Sequence, residues 1–214
     1  MTENNKLSLT AYGAASDIGK SAFLISHDGR KVLLDCGVQI QPRRTGKKSL
    51  GINELLPMAE SLTSVIISHS HLDHTGFIPA LYRAGFKGKT YGTKPSKEIV
   101  KVLWDDHLKI EGNHHFTKEN VDKALANFQT FSYGSKIKVA EGVFAILADA
   151  GHILGSSQVI LDFDGMVILY TGDVNDQNPP FHDRVRPFSE PVDILLTETT
   201  NGNRPMPPRK QVAE

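Results

Sequence analysis

Residues 66–76 read IISHSHLDHTG: an apolar run, then three histidines and an aspartate packed into 69–74, then Thr-Gly. The apolar run continues back through Val65 and has the length and composition of a buried strand. In an extended segment alternate side chains share a face, so His69 and His71 point the same way and can hold one metal ion. A helix is expected to start next. Its positive dipole end favours the Asp73 carboxylate and keeps His74 neutral, the form that coordinates a second metal. Imidazoles and carboxylates without a thiolate suit zinc in a catalytic site with an open position, whereas closed structural zinc sites usually use cysteine.

The same arrangement recurs outward along the chain. VLL precedes Asp35, FAILADAG precedes His152, MVILYTG precedes Asp173 and ILLT precedes Glu198. In layered α/β folds the carboxyl ends of neighbouring strands converge on one rim, so these distant residues are expected to meet in one site. Asp173 is the natural carboxylate to bridge two metals, and a pair of ions ~3.5–4 Å apart suits phosphoryl-ester hydrolysis.

Around these motifs the patterning alternates between strand and helix. KLSLTAY, SAFLIS and RKVLLDCG read as strands, the last two joined by a turn at His27-Asp28-Gly29. TGFIPALYRAG reads as a short helix with Pro79 in an early turn and Gly85 as its cap. A second helix is expected over 95–110, with Ile99, Leu103 and His107 or Leu108 on one face, and a third over 117–129. KIKVAEGVFAILADAGH and SSQVILDFDGMVILYTGD return to β-structure, the second folding back at Asp164-Gly165, and DILLTETT forms one more strand.

Composition sets the outer limits. The chain has 214 residues, 39% hydrophobic and 22% charged, enough for one sizeable domain with a true core. Lys plus Arg and Asp plus Glu both number 24, so any attraction to nucleic acid must be local. The amino terminus lacks a signal-peptide pattern and no segment approaches the ~20 apolar residues of a membrane span, which reads as a soluble, cytoplasmic protein. The single cysteine, Cys36, allows no internal disulfide.

Three other features read as bland. GAASDIGKS imitates a phosphate-cradling loop, but Ala14 falls where the first glycine belongs and a strand, not a helix, follows. His27, His107 and His182 stand alone and read as ordinary histidines. His114-His115 lies in the polar stretch EGNHHFTKEN and reads as a surface loop.

HSHLDH, AGHILGS and YTGD together resemble the metallo-β-lactamase superfamily. The finer ordered set YGAASDIGKSAFLI, LLDCG, HSHLDHTGFIPALY, ADAGHILGSSQVIL, LYTGDVN and LLTETTNG resembles its β-CASP nuclease branch, which includes the cleavage and polyadenylation endonuclease and ribonuclease J. The resemblance runs from about residue 8 to the end. It implies an α/β fold, the αββα sandwich, in amino-terminal portion only: residues 1–200 as the nuclease domain and 201–214 as the start of a β-CASP segment or a tail. It also implies that His69, His71 and His152 hold one zinc and Asp73, His74 and Asp173 the other, with Asp173 bridging. Asp35 would orient ligands from behind, and Glu198 would assist protonation of the leaving group.

The family needs a further histidine on the second metal and another beside the leaving group, both beyond the equivalent of Glu198. After Asp173 the chain offers only His182. The expected protein is therefore an incomplete half that a second chain, self-association or a longer gene product completes, with a weaker second site. The leading expectation is a zinc-dependent nuclease acting on single-stranded RNA, leaving 5′-phosphate and 3′-hydroxyl ends. Arg43, Arg44, Lys47 and Lys48 in QPRRTGKKS are available to steer phosphates or to form an exposed basic loop. The alternatives are a small-molecule hydrolase of thioesters or lactams, and a non-catalytic assembly subunit.

Overall fold

Two tight hairpins set the register of the molecule. β1 (Ser8–Ala11), β2 (Phe23–His27) and β3 (Arg30–Leu34) form an antiparallel meander. Its second turn holds Asp28 and Gly29 at φ +48° and +77°, the twin left-handed residues of a type I′ turn. Asp164 and Gly165, at φ +50° and +92°, make the equivalent turn between β9 (Ser157–Phe163) and β10 (Met166–Tyr170). Both turns fall where the sequence pattern put them.

The computed structural model describes residues 6–15, 18–39, 51–177, 183–200 and 202. Arg43, Arg44, Lys47, Lys48, His182 and 201–214 apart from Gly202 lie outside the described residues.

After β3 the first sheet continues in parallel through β4 (Ser64–Ile66), β5 (Lys89–Gly92) and β6 (Phe128–Thr130), giving the order β1-β2-β3-β4-β5-β6. Parallel neighbours need crossovers, and these carry the helices: α1 (Ile52–Leu55) running into a 3-10 helix (Leu56–Ser61), α2 (Leu72–Thr75), α3 (Ile78–Arg83), α4 (Lys94–Glu111) and α5 (Lys118–Ala126). The second sheet has the order β11-β10-β9-β8-β7, adding β7 (Ile137–Ala140), β8 (Val143–Asp149) and β11 (Ile194–Leu196), the last parallel to β10.

Strand alternation divides the core in two. Leu24, Leu33, Val65 and Ile67 face the helices, packing with Leu81, Phe86, Val100, Trp104 and Val121. Ile25, Val32, Leu34 and Ile66 face the second sheet, packing with Val143, Ala145, Val159, Leu161 and Tyr170. Among the described residues the layers are helices, sheet, sheet: three of the four in an αββα sandwich. The outer face of the second sheet leaves Met166 and Leu195 exposed.

Some helix expectations are corrected. The helix expected from 75 to 85 divides, because the chain breaks at Gly76-Phe77 between α2 and α3; Gly85, at φ +99°, does follow the α3 cap. α4 buries Ser96, Val100 and Trp104, one position on from the expected Ile99 and Leu103, because the bulky indole turns inward. α5 stops at Ala126, and Phe128-Gln129 pair into β6 instead. Trp104 is fully buried and its Nε1 donates to the carbonyl of Thr75 at 3.1 Å, tying α4 to the end of α2. Trp104→Ala is expected to cost roughly 3–5 kcal/mol in chemical denaturation, through the cavity and the orphaned carbonyl.

Candidate metal centre

The HSHLDH turn starts where β3 and β4 end side by side. Asp35 N donates to the carbonyl of Ile66 at 2.9 Å, and Asp35 adopts φ +58°, a left-handed conformation that aspartate tolerates. The turn then doubles back over Gly37, where a Cβ would sit 1.7 Å from the Asp73 carbonyl oxygen; only glycine permits that approach. The AGHILGS loop is pinned to the same turn. Ser157 donates through both N and Oγ to the carbonyl of Ser68, at 2.7 and 2.9 Å, while Ser156 Oγ accepts from the amides of His152 and Ile153. Gly172 of YTGD, at φ +56°, completes the rim; a Cβ there would come within 2.6 Å of Ser68 Cβ.

These constraints bring the expected residues together. His69 Nε2 lies 3.0 Å from His71 Nδ1, and His152 Nε2 lies 3.3 Å from that same atom. Ligand nitrogens of a tetrahedral zinc, each bonded at 2.0–2.1 Å, stand about 3.3 Å apart, so the three rings fit a shared cation. Asp173 reaches both ways: Oδ1 is 3.4 Å from His74 Nε2 and Oδ2 is 3.7 Å from His152 Nε2. Two groupings of metal-ligand type result, His69/His71/His152 and His69/His74/Asp173. Asp73 stands further off, its Oδ2 4.0 Å from His74 Nε2, and lines the adjoining cleft of about 380 Å³ with Ser21, Tyr170 and Glu198.

Glu198 faces this cleft with both carboxylate oxygens accepting backbone hydrogen bonds, Oε1 from Val174 N at 3.1 Å and Oε2 from Thr200 N at 3.2 Å. It therefore braces the loop that follows Asp173. Asp35 is wholly buried behind the histidines and accepts from His74 Nδ1 at 2.7 Å. The partners of Asp35 that sequence reasoning missed are Ser68 and Tyr170, which adjoin the motifs but belong to residue types common in strands. His107 stacks on Phe116 and His115 packs edge-on against Phe77; neither joins a metal-type grouping among the described residues.

Charge in the cluster is uneven. Burial, then the neighbouring His74, His71 and His152 rings, hold His69 well below the ordinary imidazole range. Burial likewise lowers His152 against the pull of Asp173. His74 differs from expectation: burial lowers it, but Asp35 and Asp173 outweigh this and push it up to about 10. A four-residue helix contributes little against a carboxylate at 2.7 Å, so without a cation this ring carries its own proton. A pKa raised above the ordinary 6.5 stabilises the fold fully below that value and ceases to do so as pH rises through about 10. Metal-free protein is thus expected to lose thermal stability between pH 7 and 10. Zinc should flatten that slope by taking the place of the proton, which paired melting curves would show.

A family model described as anti-Pycsar protein Apyc1 matches residues 9–199. The chain belongs to this family. Among curated relatives, it is 31% identical over 206 residues to a ribonuclease of Thermus thermophilus, covering 95% of this chain and 46% of the relative. It is 32% identical over 197 residues to an RNase J-like protein of Methanocaldococcus jannaschii, covering 91% and 43%. With subunit 3 of the cleavage and polyadenylation specificity factor of Dictyostelium discoideum it shares 30% over 220 residues, 97% of this chain and 27% of the relative. The chain thus spans less than half the length of these three relatives. The metallo-β-lactamase fold protein YhfI of Bacillus subtilis superposes with a TM-score of 0.56 at 20% identity, covering 89% of this chain and 70% of that one. The Apyc1-family chain is a member of the metallo-β-lactamase superfamily in its β-CASP nuclease branch, and its αββ layers are the amino-terminal portion of that fold. No helix among the described residues is long and apolar enough to cross a membrane.

Proposed function

We propose that this chain is the metal-binding portion of a zinc-dependent nuclease that hydrolyses phosphodiester bonds in single-stranded RNA. The observation that carries it is the convergence of His69, His71 and His152 with a carboxylate, Asp173, whose two oxygens reach different histidines. His69, His71 and His152 would hold one zinc; His74, Asp173 and Asp73 would hold the second, with Asp173 shared. Zinc bound there supplies Lewis acidity and lowers the pKa of a water molecule. Asp73, in the cleft, would orient a water molecule, and Asp35 holds His74 in place. Glu198, which accepts from the backbone amides of Val174 and Thr200, would assist protonation of the leaving group. Relatives named as ribonucleases and as a cleavage factor subunit support RNA as substrate.

Because the relatives are about twice as long or longer, a second chain, a second copy or further sequence is proposed to complete the second site. The buried thiol of Cys36 suits a reducing, cytoplasmic setting. Cleavage by the 214-residue chain alone is expected to be slow, about 10²–10⁴-fold below a site with its full acid-base machinery. The test is end-labelled single-stranded RNA incubated with zinc-loaded protein. Chelator-sensitive products with 5′-phosphate ends, absent with Asp173→Ala, are expected; chelator-resistant cleavage or cyclic-phosphate ends would refute the reading.

A second reading has one observation in its favour: the matching family model is named for an anti-Pycsar protein, not for RNA processing. The same residues would then hydrolyse a smaller phosphodiester in the 380 Å³ cleft. Faster turnover of bis(p-nitrophenyl) phosphate than of RNA would favour it.

A further inference from the structure

Behind the metal-facing histidines lies a closed set of donors on one carboxylate. Asp35 Oδ2 has three neighbours, each at 2.7 Å: Ser68 Oγ, His74 Nδ1 and Tyr170 OH. Its Oδ1 accepts from Ser68 N, also at 2.7 Å. A carboxylate only accepts, so all of these groups donate. Ser68 has a single hydroxyl hydrogen, and it points at Asp35. The same Ser68 Oγ lies 3.0 Å from His69 Nδ1, and with its hydrogen engaged it can only accept there. His69 therefore carries its hydrogen on Nδ1. His74 does so too, since its Nδ1 donates to Asp35. Both rings are left with Nε2 facing the cleft, His69 toward His71 and His74 toward Asp173.

We propose that Ser68 and Tyr170 are positioning residues of the metal centre. With Asp35 as common acceptor, they fix the tautomer and orientation of His69 and His74, and so set metal-facing nitrogens in both groupings. The proposal rests on the metal-centre reading above. Its physical basis is the dryness of the network: Asp35, Ser68, His69, His74 and Tyr170 are all at most 4% exposed, so no bulk water replaces a lost partner. The members are also held from outside. The Tyr170 ring packs against Phe23 with centroids 5.5 Å apart, and the Ser68 carbonyl is clamped by Ser157. One carboxylate thus orients ligands in both groupings, and partners of this kind typically influence metal affinity 10–100-fold.

The test compares Ser68→Ala and Tyr170→Phe with Tyr82→Phe. The last removes a buried hydroxyl that bonds Thr90 and Gly88, well away from Asp35. Zinc affinity is measured by competition with a chromophoric chelator, and histidine tautomers by long-range proton–nitrogen correlation on the zinc-loaded protein. Wild type should show His69 and His74 protonated at Nδ1 and metal-bound at Nε2. Ser68→Ala should lower zinc affinity about 10–100-fold and release the His69 tautomer; Tyr170→Phe should lower affinity over the same range. Tyr82→Phe should cost stability while leaving affinity and ring signals unchanged. Affinities and spectra of Ser68→Ala and Tyr170→Phe matching wild type would overturn the proposal, as would a wild-type spectrum with His69 protonated at Nε2, which needs no variant to fold. Wild-type protein that binds no zinc would instead overturn the metal-centre reading itself.

Discussion

His152→Ala is expected to fold normally and to lose the zinc proposed for the His69, His71 and His152 rings. The ring is about a quarter exposed, and the loop that carries it is held through backbone amides on Ser156 Oγ, contacts that do not involve the imidazole. Removing the ring leaves His69 and His71 as a two-nitrogen pair and takes away the imidazole 3.7 Å from Asp173 Oδ2. Outer partners alone typically change affinity 10–100-fold, so loss of one of the three rings proposed as direct ligands should exceed roughly 100-fold. Zinc content by plasma mass spectrometry after dialysis is the measurement, with circular dichroism to show the fold intact. Zinc retained at the wild-type level would remove His152 from the centre.

The gathering of these residues was largely legible because they sit at strand ends, where period-2 patterning and abrupt polarity are both visible. HSHLDH shows His69 and His71 on one side of an extended segment, and their nitrogens do converge at 3.0 Å. The two Asp-Gly hairpins were legible for the same kind of reason, since they need left-handed backbone at adjacent positions. What local pattern does not carry is anything decided across the fold. The protonation tendency of His74 depends on Asp35 and Asp173, 39 residues before it and 99 after it in the chain. The inward face of α4 depends on where the indole of Trp104 finds room beside α2. Ser68 and Tyr170 look like ordinary strand residues until four hydrogen bonds are seen to meet on Asp35. Asp73, placed by motif among the second set of ligands, lies in the cleft at 4.0 Å from His74 Nε2, further away than Asp173.

Asp35→Ala should be the most destabilising change in the centre even before metal is added. It leaves Ser68 N, Ser68 Oγ, His74 Nδ1 and Tyr170 OH without their common acceptor, and it isolates a buried ring that holds a proton because of that carboxylate. Removing one member of a buried charged pair typically costs 3–5 kcal/mol, chiefly by stranding the other. At about 2–4 °C per kcal/mol for a chain of this size, the melting temperature should fall by about 10 °C. Asp35→Asn keeps the shape but turns a donor amide toward donors, so it should recover little of that loss. The two variants should also differ from wild type in pH response. Without Asp35 the His74 ring loses the first of the carboxylates that raise it, and the stability lost between pH 7 and 10 in metal-free wild type should shrink. An unchanged melting temperature in Asp35→Ala would mean that the buried network is not formed as described, and with it would go the basis for placing His74 beside Asp173.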